Sequence, residues 1–241
     1  MRQLILDTET TGLPDRSKKI NLDVVAESGH RVIEIGVVEI VDRRITGQDF
    51  QSYLNPERRI DPATIPIHGI TDEFIADKPL FKDLAGDFLD YVKGAEVIMH
   101  NAPFDTSFIN NELALLGLDD RLENLCEITD TLIIARKKHP GQRNSLDALC
   151  SRYEVDTTKR EVHGALIDAK LLANVYLLMT GGQVGFFNQD QTTDNGSSDD
   201  NHDYDFKNRK IIQIDLNENE IENHQSYLKK LSKISKKDLK W

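Results

Sequence analysis

The sequence has few cysteines and no long apolar run. Its 241 residues include two cysteines, Cys126 and Cys150, each within an apolar stretch and without the spacing of a zinc site. We expect two reduced core thiols in a cytoplasmic protein. No apolar run reaches the roughly 18 residues of a membrane helix, and the apolar run in MRQLILD is too short for a signal peptide.

The chain is also short of positive charge. There are 30 Lys and Arg against 41 Asp and Glu, which gives a formal net charge of −11. A protein that holds nucleic acid by charge alone is normally basic. A nucleic-acid partner would therefore be held locally, or through metal ions that offset the acids.

The composition changes near residue 182. Apolar segments recur regularly before it, whereas NQDQTTDNGSSDDNHDYD (188–205) is polar and acidic, with no Lys or Arg. Such a composition is typical of a disordered linker. The sequence therefore predicts a folded domain over 1–181, a short peptide over 182–187, an acidic linker over 188–206 and a tail over 207–241.

Residues 1–181 predict an α/β domain. The predicted strands, rich in Ile, Val and aromatic residues, lie near 3–8, 31–40, 49–55, 96–101 and 125–130. The predicted helices follow Asp61 and Thr71 as N-caps and lie near 80–94, 103–116, 131–137, 145–153 and 165–180. Strands first, and then strands alternating with helices, favour a mixed sheet with flanking helices.

The first strand ends in two acids, Asp7 and Glu9, within LILDTETTGL (4–13). Side chains two positions apart on a strand share a face, with Cα atoms about 6.5 Å apart. Two such carboxylates repel and raise each other's pKa unless a cation lies between them. On these residues alone, a cation site and a pair of solvated acids at an exposed strand end both remain open.

Two further stretches contain acids next to apolar segments. In HNAPFD (100–105), Asp105 falls in the first turn of a helix, where it would also suit the helix dipole. In VHGALIDAKLLA (162–173), Asp168 lies inside a helix with apolar neighbours, and a buried acid needs a partner. The four acids would balance two divalent cations, and oxygen ligands favour Mg²⁺ or Mn²⁺. His163 is the candidate general base, because an imidazole is the side chain suited to proton transfer near neutral pH.

DTETTG, HNAPFD and HGALIDA, in this order, resemble the DEDDh 3′–5′ exonuclease superfamily. The resemblance extends over residues 1–183 and is closest to the proofreading subunits of bacterial DNA polymerase III. It implies a ribonuclease H-like mixed five-stranded sheet, two divalent cations, and hydrolysis of the 3′-terminal phosphodiester of DNA to nucleoside 5′-monophosphates. The implied metal ligands are Asp7, Glu9, Asp105 and Asp168, and the implied general base is His163.

The resemblance also implies contacts with the terminal nucleotide. The implied substrate-binding residues are Asp7, Glu9, His68, Asn101, Phe104 and Asp168. Two of these have structural alternatives: His68 in IHGIT (67–71) would otherwise cap its own loop, and Phe104 would otherwise pack in the core. As a substrate contact, Phe104 would stack on the last base, a contact that tolerates any sequence.

The tail implies protein partners. QVGFF (183–187) resembles a peptide that binds the bacterial sliding clamp, through Gln183, Phe186 and Phe187; the alternative is that it folds back on the domain. Residues 207–241 are too few to fold alone and, by resemblance, would dock on the polymerase subunit. The family also suggests a small accessory subunit.

Two other functions remain open from the sequence. A free-standing DEDDh exoribonuclease, of the oligoribonuclease or RNA-trimming type, would use the same acids and histidine, although it would not need a tethered tail. A catalytically silent binding module is the second alternative. All five chemical positions are present, which argues against it.

Overall fold

The computed structural model describes residues 2–15, 17–158, 160, 162–181 and the single residue 226. The predicted clamp peptide over 182–187, linker over 188–206 and tail over 207–241 therefore lie outside the described residues, apart from Ser226. Within the described part of the chain, no helix is both long enough and apolar enough to cross a membrane.

Six strands form one mixed sheet. They are β1 (Arg2–Thr10), β2 (Val32–Val41), β3 (Arg44–Ile45), β4 (Phe50–Tyr53), β5 (Glu96–Met99) and β6 (Glu127–Asp130). β1 is antiparallel to β2 and parallel to β5, which is parallel to β6. β3 and β4 both pair with β2, whose other edge is occupied by β1 along its whole length. The sheet is therefore five strands wide, and the two-residue β3 is the strand that the predicted five-stranded sheet lacks.

The helices flank this sheet. They are α1 (Leu22–Ser28), α2 (Ile65–His68), α3 (Asp72–Ile75), α4 (Phe81–Val92), α5 (Pro103–Leu115), α6 (Leu122–Leu125), α7 (Thr131–Lys138), α8 (Leu146–Arg152) and α9 (Ala165–Thr180). The predicted mixed α/β class with flanking helices is confirmed. The chain adds α1 and α6, which are too short to show a clear apolar period.

Side-chain alternation along β1 builds a core on each side of the sheet. Leu4 and Leu6 pack with Phe88 of α4 and Phe108 of α5 on one face. Ile5 packs with α9 on the opposite face. Because odd and even positions of a strand face opposite ways, the continuation of β1 places Asp7 and Glu9 on the side covered by α9.

Two predicted boundaries are wrong. The helix expected after Asp61 begins at Ile65, because the Asp61 carboxylate accepts from the Ala63 amide and forms a turn there. The strand expected over 96–101 ends at Met99, because Asn101 has a positive φ of 68° and its amide donates to Asp130. The predicted cap at Thr71 is correct, since its hydroxyl accepts from the Phe74 amide.

Candidate active site

The N-terminal turn of α9 lies directly against the end of β1 and β2. Gly36 of β2 is paired with Asp7 of β1. A Cβ added at Gly36 would lie 2.2 Å from the Leu166 amide nitrogen, well inside any real contact. Only glycine allows this approach, which places Asp168, in the first turn of α9, over the face that carries Asp7 and Glu9.

Asp105 reaches the same region from the other layer of the fold. It is 3% exposed, in the first turn of α5. Its Oδ1 accepts from the Thr8 amide at 3.0 Å and from the Thr8 hydroxyl at 2.7 Å. Since Thr8 lies between Asp7 and Glu9, these two bonds fix α5 to the part of β1 that carries the acids.

Asp168 and His163 are held together by Arg160. The Arg160 Nη2 donates to Asp168 Oδ2 at 2.7 Å, and the Arg160 Nη1 donates to Asp147. The Nδ1 of His163 lies 3.0 Å from Asp168 Oδ2 and 2.7 Å from the Arg160 Nη2. The guanidinium is only 10% exposed, whereas the His163 side chain is 45% exposed. Arg160 is therefore a buried cation behind the cluster, and His163 faces solvent.

Glu34 is a buried acid that the sequence analysis did not single out. It lies on β2 opposite Glu9 and is 1% exposed. Its two carboxylate oxygens accept from the Gln51 side chain at 2.7 Å and from the Ala165 amide, the first of α9, at 3.0 Å. An anion at a helix N-terminus is stabilised by the unpaired amides there. Glu34 thus anchors α9 to β2.

Burial and mutual repulsion raise the pKa values of Asp7, Glu9 and Asp105 strongly. Burial, followed by the charges of Asp105, Glu9 and Asp168, raises the pKa of Asp7 well above its ordinary value. Burial, followed by the charges of Asp168 and Glu34, raises the pKa of Glu9 to about 8. Burial raises the pKa of Asp105 to about 7, although its hydrogen bonds from Thr8 oppose the shift. Ionised together, these groups need a cation.

Among the described residues, Glu9, His163 and Asp168 form a set whose ligand atoms could share one metal ion. One ligand atom from each lies within 4.8 Å of the others. Asp7 and Asp105 are not in this set, although their charges act on one another and on it. Among the described residues, the buried Asp168 Oδ1 lacks a hydrogen bond and has only an ion-pair contact, 2.7 Å from the Arg160 Nε. A crowded set of carboxylate oxygens fits a hard divalent cation.

The three other predicted contact residues, His68, Asn101 and Phe104, differ in burial and in their contacts. His68 is 5% exposed, its Nδ1 accepts from the Ile70 amide, and its Nε2 is buried without a partner among the described residues. Its loop also holds His163, whose amide donates to the Ile67 carbonyl at 2.9 Å. Asn101 is exposed. Phe104 is half-buried and packs on Phe108, with ring centroids 4.8 Å apart.

Glu34, Gly36 and Arg160 are the residues that sequence reasoning missed. Glu34 and Gly36 lie in VIEIGVVEI, where an acid and a glycine interrupt an apolar run. That interruption was a usable signal for a buried acid and for a close backbone approach. Arg160 gave no signal, because its partners Asp147 and Asp168 are distant in sequence or on another element.

Comparisons with known proteins agree with this geometry. The family model for Exonuclease (RNase_T) matches residues 4–176. The chain is 43% identical over 250 aligned positions to DNA polymerase III subunit epsilon of Haemophilus influenzae, covering 100% of this chain and 94% of that one. It is 52% identical over 184 positions to DNA polymerase III subunit epsilon of Escherichia coli (strain K12), covering 76% and 73% respectively.

Solved structures give the same fold. Exonuclease X in complex with 5′ overhanging duplex DNA matches with a TM-score of 0.56 and 26% identity, covering 74% of this chain and 91% of that chain. The nuclease domain of 3′hExo, a DEDDh family member bound to rAMP, matches in fold with a TM-score of 0.57 at 18% identity, covering 74% and 90%. This chain therefore belongs to the exonuclease family and, within it, to the family of DNA polymerase III epsilon subunits.

Proposed function

We propose that this chain is the proofreading 3′–5′ exonuclease of a bacterial replicative DNA polymerase, working in the cytoplasm where the chromosome is copied. It hydrolyses the 3′-terminal phosphodiester of DNA and releases nucleoside 5′-monophosphates. The observation that supports this function most strongly is the convergence of four acids from β1, α5 and α9 beside a solvent-facing histidine. The free-standing exoribonuclease is not favoured, because the related chains are polymerase subunits.

Asp7, Glu9, Asp105 and Asp168 would hold two divalent cations, Mg²⁺ or Mn²⁺. When bound, these ions supply the positive charge that lowers the pKa of water and stabilises the phosphoryl oxygens. The raised pKa values of Asp7, Glu9 and Asp105 support this assignment, because repulsion among the ionised acids is relieved by a cation.

His163 is the proposed general base. The His163 Nδ1 lies near both Asp168 Oδ2 and the Arg160 Nη2, and the guanidinium can only donate. The general-base role uses the tautomer whose Nδ1–H donates to Asp168, because Nε2 then has a free lone pair and can take a proton from the attacking water. The water oxygen then bonds to phosphorus, and the bond from phosphorus to the 3′ oxygen breaks. The 3′ oxygen leaves with the bonding electrons and takes up a proton from solvent, so that the shortened strand ends in a 3′-OH, and His163 returns its proton to solvent. Arg160 is a positioning residue, because it contacts His163 and Asp168 from behind.

The terminal nucleotide is the proposed ligand of His68, Asn101 and Phe104, together with the acids. The buried Nε2–H of His68 is a donor without a partner among the described residues, as expected of a group kept for a sugar or phosphate oxygen. Phe104 packs on Phe108 and is only half-buried against the core, so part of the side chain is exposed and could contact a base.

The proposed protein partners follow from the segment beyond residue 181. Gln183, Phe186 and Phe187 would bind the sliding clamp, and residues 207–241 would bind the polymerase subunit. The clamp assignment rests on the sequence of QVGFF, and the polymerase assignment rests on the resemblance and on a tail too short to fold alone. A small accessory subunit, bound to the catalytic domain, is the third proposed partner.

A side-by-side digestion tests the function. Single-stranded DNA and RNA of the same sequence, each labelled at the 5′ end, are incubated with the protein and Mg²⁺ or Mn²⁺. We expect one-nucleotide steps from the 3′ end, faster on DNA, and faster still when the last base of a primer is mismatched. Endonucleolytic products, a preference for RNA, or equal rates without metal would overturn the proposal.

A further inference from the structure

Residues 136–143 form a concentration of positive charge in an acidic chain. Residues 1–181 contain 21 Lys and Arg against 30 Asp and Glu, yet the segment RKKHPGQR has four of those cations and no acid. We call it the basic segment. Its cationic residues Arg136, Lys137, Lys138 and Arg143 are exposed, and none forms an ion pair with a described carboxylate.

The basic segment borders an open cavity of about 500 Å³. Arg136, His139, Asn144 and His100 are among the residues that line this cavity, and the lining contains no acid. The Asn144 amide already donates to two backbone carbonyls, and one ring nitrogen of each histidine already contacts a hydroxyl. Arg136, a permanent cation without an ion pair to a described carboxylate, is therefore the lining group that suits a phosphate.

Two residues of the cavity lining belong to helices that contact the catalytic cluster. Leu132 of α7 donates its amide to Asp130, which also accepts from the Asn101 amide and whose charge acts on Asp105. Ser145 caps α8, and Asp147 in the first turn of that helix pairs with Arg160. The cavity is therefore lined by the helix that follows Asp130 and by the cap of the helix that carries Asp147.

We propose that the basic segment binds the phosphodiester backbone of the substrate strand a few nucleotides inward from its 3′ end. The inference rests on the proposed function. Arg136 lies six residues along α7 from Asp130, or about 9 Å at helical rise. At about 3.4 Å per stacked nucleotide, this corresponds to roughly three nucleotides. In a protein of net charge −11, the basic segment would bind the phosphates of nucleic acid through a local concentration of positive charge.

Helix stability alone would explain only part of this pattern. Arg136, Lys137 and Lys138 lie in the last turn of α7, where cations stabilise the helix dipole. Arg143 lies beyond the end of α7 and contributes nothing to that turn. Helix stability and strand binding are separated by a variant that removes Arg136 and Arg143 together. A loss of helix stability would lower only Tm, whereas a loss of strand binding would raise KM on a long substrate.

The test compares Arg136→Gln/Arg143→Gln with the matched variant Lys82→Gln/Lys93→Gln, which removes two exposed cations near α4. Each full-length protein is assayed on two substrates. The first is a single-stranded DNA of about 12 nucleotides, long enough to reach the basic segment. The second is the p-nitrophenyl ester of thymidine 5′-monophosphate, which has one nucleotide and cannot reach it.

We expect the basic-segment variant to raise KM on the oligonucleotide about three- to tenfold at low salt, with the ester rate unchanged. The slope of log kcat/KM against log salt should fall in magnitude by about 1.4, since each single-strand phosphate contact contributes about 0.7. The Lys82/Lys93 variant should change neither quantity. Unchanged KM and slope in the basic-segment variant, with or without a lower Tm, would overturn the inference. A wild-type protein that leaves DNA intact would overturn the proposed function instead.

Discussion

Asp7 and Glu9 destabilise the metal-free fold when they are ionised. Burial and neighbouring acids raise the pKa of both, and the pKa of Glu9 reaches about 8. A carboxyl whose folded pKa exceeds its unfolded pKa favours the folded state at low pH, and this stability is lost as pH rises through the folded pKa. For Glu9 the loss runs from about pH 4.5 to about pH 8.

The amide variants Asp7→Asn and Glu9→Gln remove this cost. In EDTA at pH 8 we expect each to raise Tm by a few degrees, or about 1 kcal/mol, and to abolish exonuclease activity. The substitution Asp87→Asn, at an exposed acid, serves as the control and should change neither property. Thermal unfolding at pH 5 and pH 8 checks the sign. The difference in Tm between each variant and wild type should be smaller at pH 5 than at pH 8. A variant Tm below that of wild type at pH 8 would contradict the raised pKa of the acid that it replaces.

Arg160 supplies the only described ion-pair partner of Asp168 other than His163. Removing one member of a buried pair leaves the other charge uncompensated, a cost of about 3 kcal/mol or more when the pair is fully buried. We expect Arg160→Gln to lower Tm in EDTA and to reduce kcat at least tenfold, because His163 loses its fixed orientation. Mg²⁺ should recover part of the Tm but not the kcat. Arg160→Lys keeps the positive charge but loses the bidentate guanidinium. Its Tm and kcat should therefore lie between those of Arg160→Gln and wild type.

At the scale of elements, the site depends on the contact between α9 and β2. Gly36 allows the approach, and Glu34 caps the first amide of α9. A shift of α9 would move Asp168 relative to Asp7 and Glu9. The catalytic geometry is therefore set by a backbone contact as well as by the acids.

Gly36→Ala tests this contact. Its Cβ would meet backbone atoms of Ala165 and Leu166 at 2.2–2.3 Å, so α9 must move. We expect a loss of about 1–3 kcal/mol of stability and about 100-fold in kcat. Gly86→Ala in α4 is the matched control, because nothing lies within 4 Å of its Cβ and alanine favours a helix. Equal activity of Gly36→Ala and wild type would contradict the positioning role of this contact.

The sequence predicted the elements with strong local patterns and missed those set by distant contacts. β1 and β2 are runs of β-branched and other apolar residues, and α9 is apolar over most of its length, so each was predicted near its observed bounds. β5 was predicted from its start, but its end was placed two residues too late. The cap at Asp61 was wrong, because Asp61 and Thr64 are both plausible caps and only the folded loop selects one. The roles of Glu34 and Arg160 depend on partners that no spacing rule brings together.

At the scale of the whole molecule, an enzyme with net charge −11 acts on a polyanion. Divalent ions at the acids and the basic segment offset this repulsion only locally, and a bound polymerase would supply the remaining hold on DNA. The acidic linker and the tail after residue 206 suit such a tether.

Two variants separate the proposed partners. Removal of residues 207–241 should abolish copurification with the polymerase subunit while leaving the rate on single-stranded DNA within about twofold, since no acid of the site is lost. Phe186→Ala/Phe187→Ala should keep polymerase binding and lose binding to the sliding clamp, measured by surface plasmon resonance. Clamp binding that survives the double substitution would show that QVGFF is not the docking peptide.

Anomalous diffraction from crystals soaked in Mn²⁺ shows directly whether acids from three elements share divalent cations. We expect two peaks, each within about 2.0–2.4 Å of carboxylate oxygens drawn from Asp7, Glu9, Asp105 and Asp168. Peaks elsewhere, or no peak beside these four side chains at saturating Mn²⁺, would contradict the shared cation site.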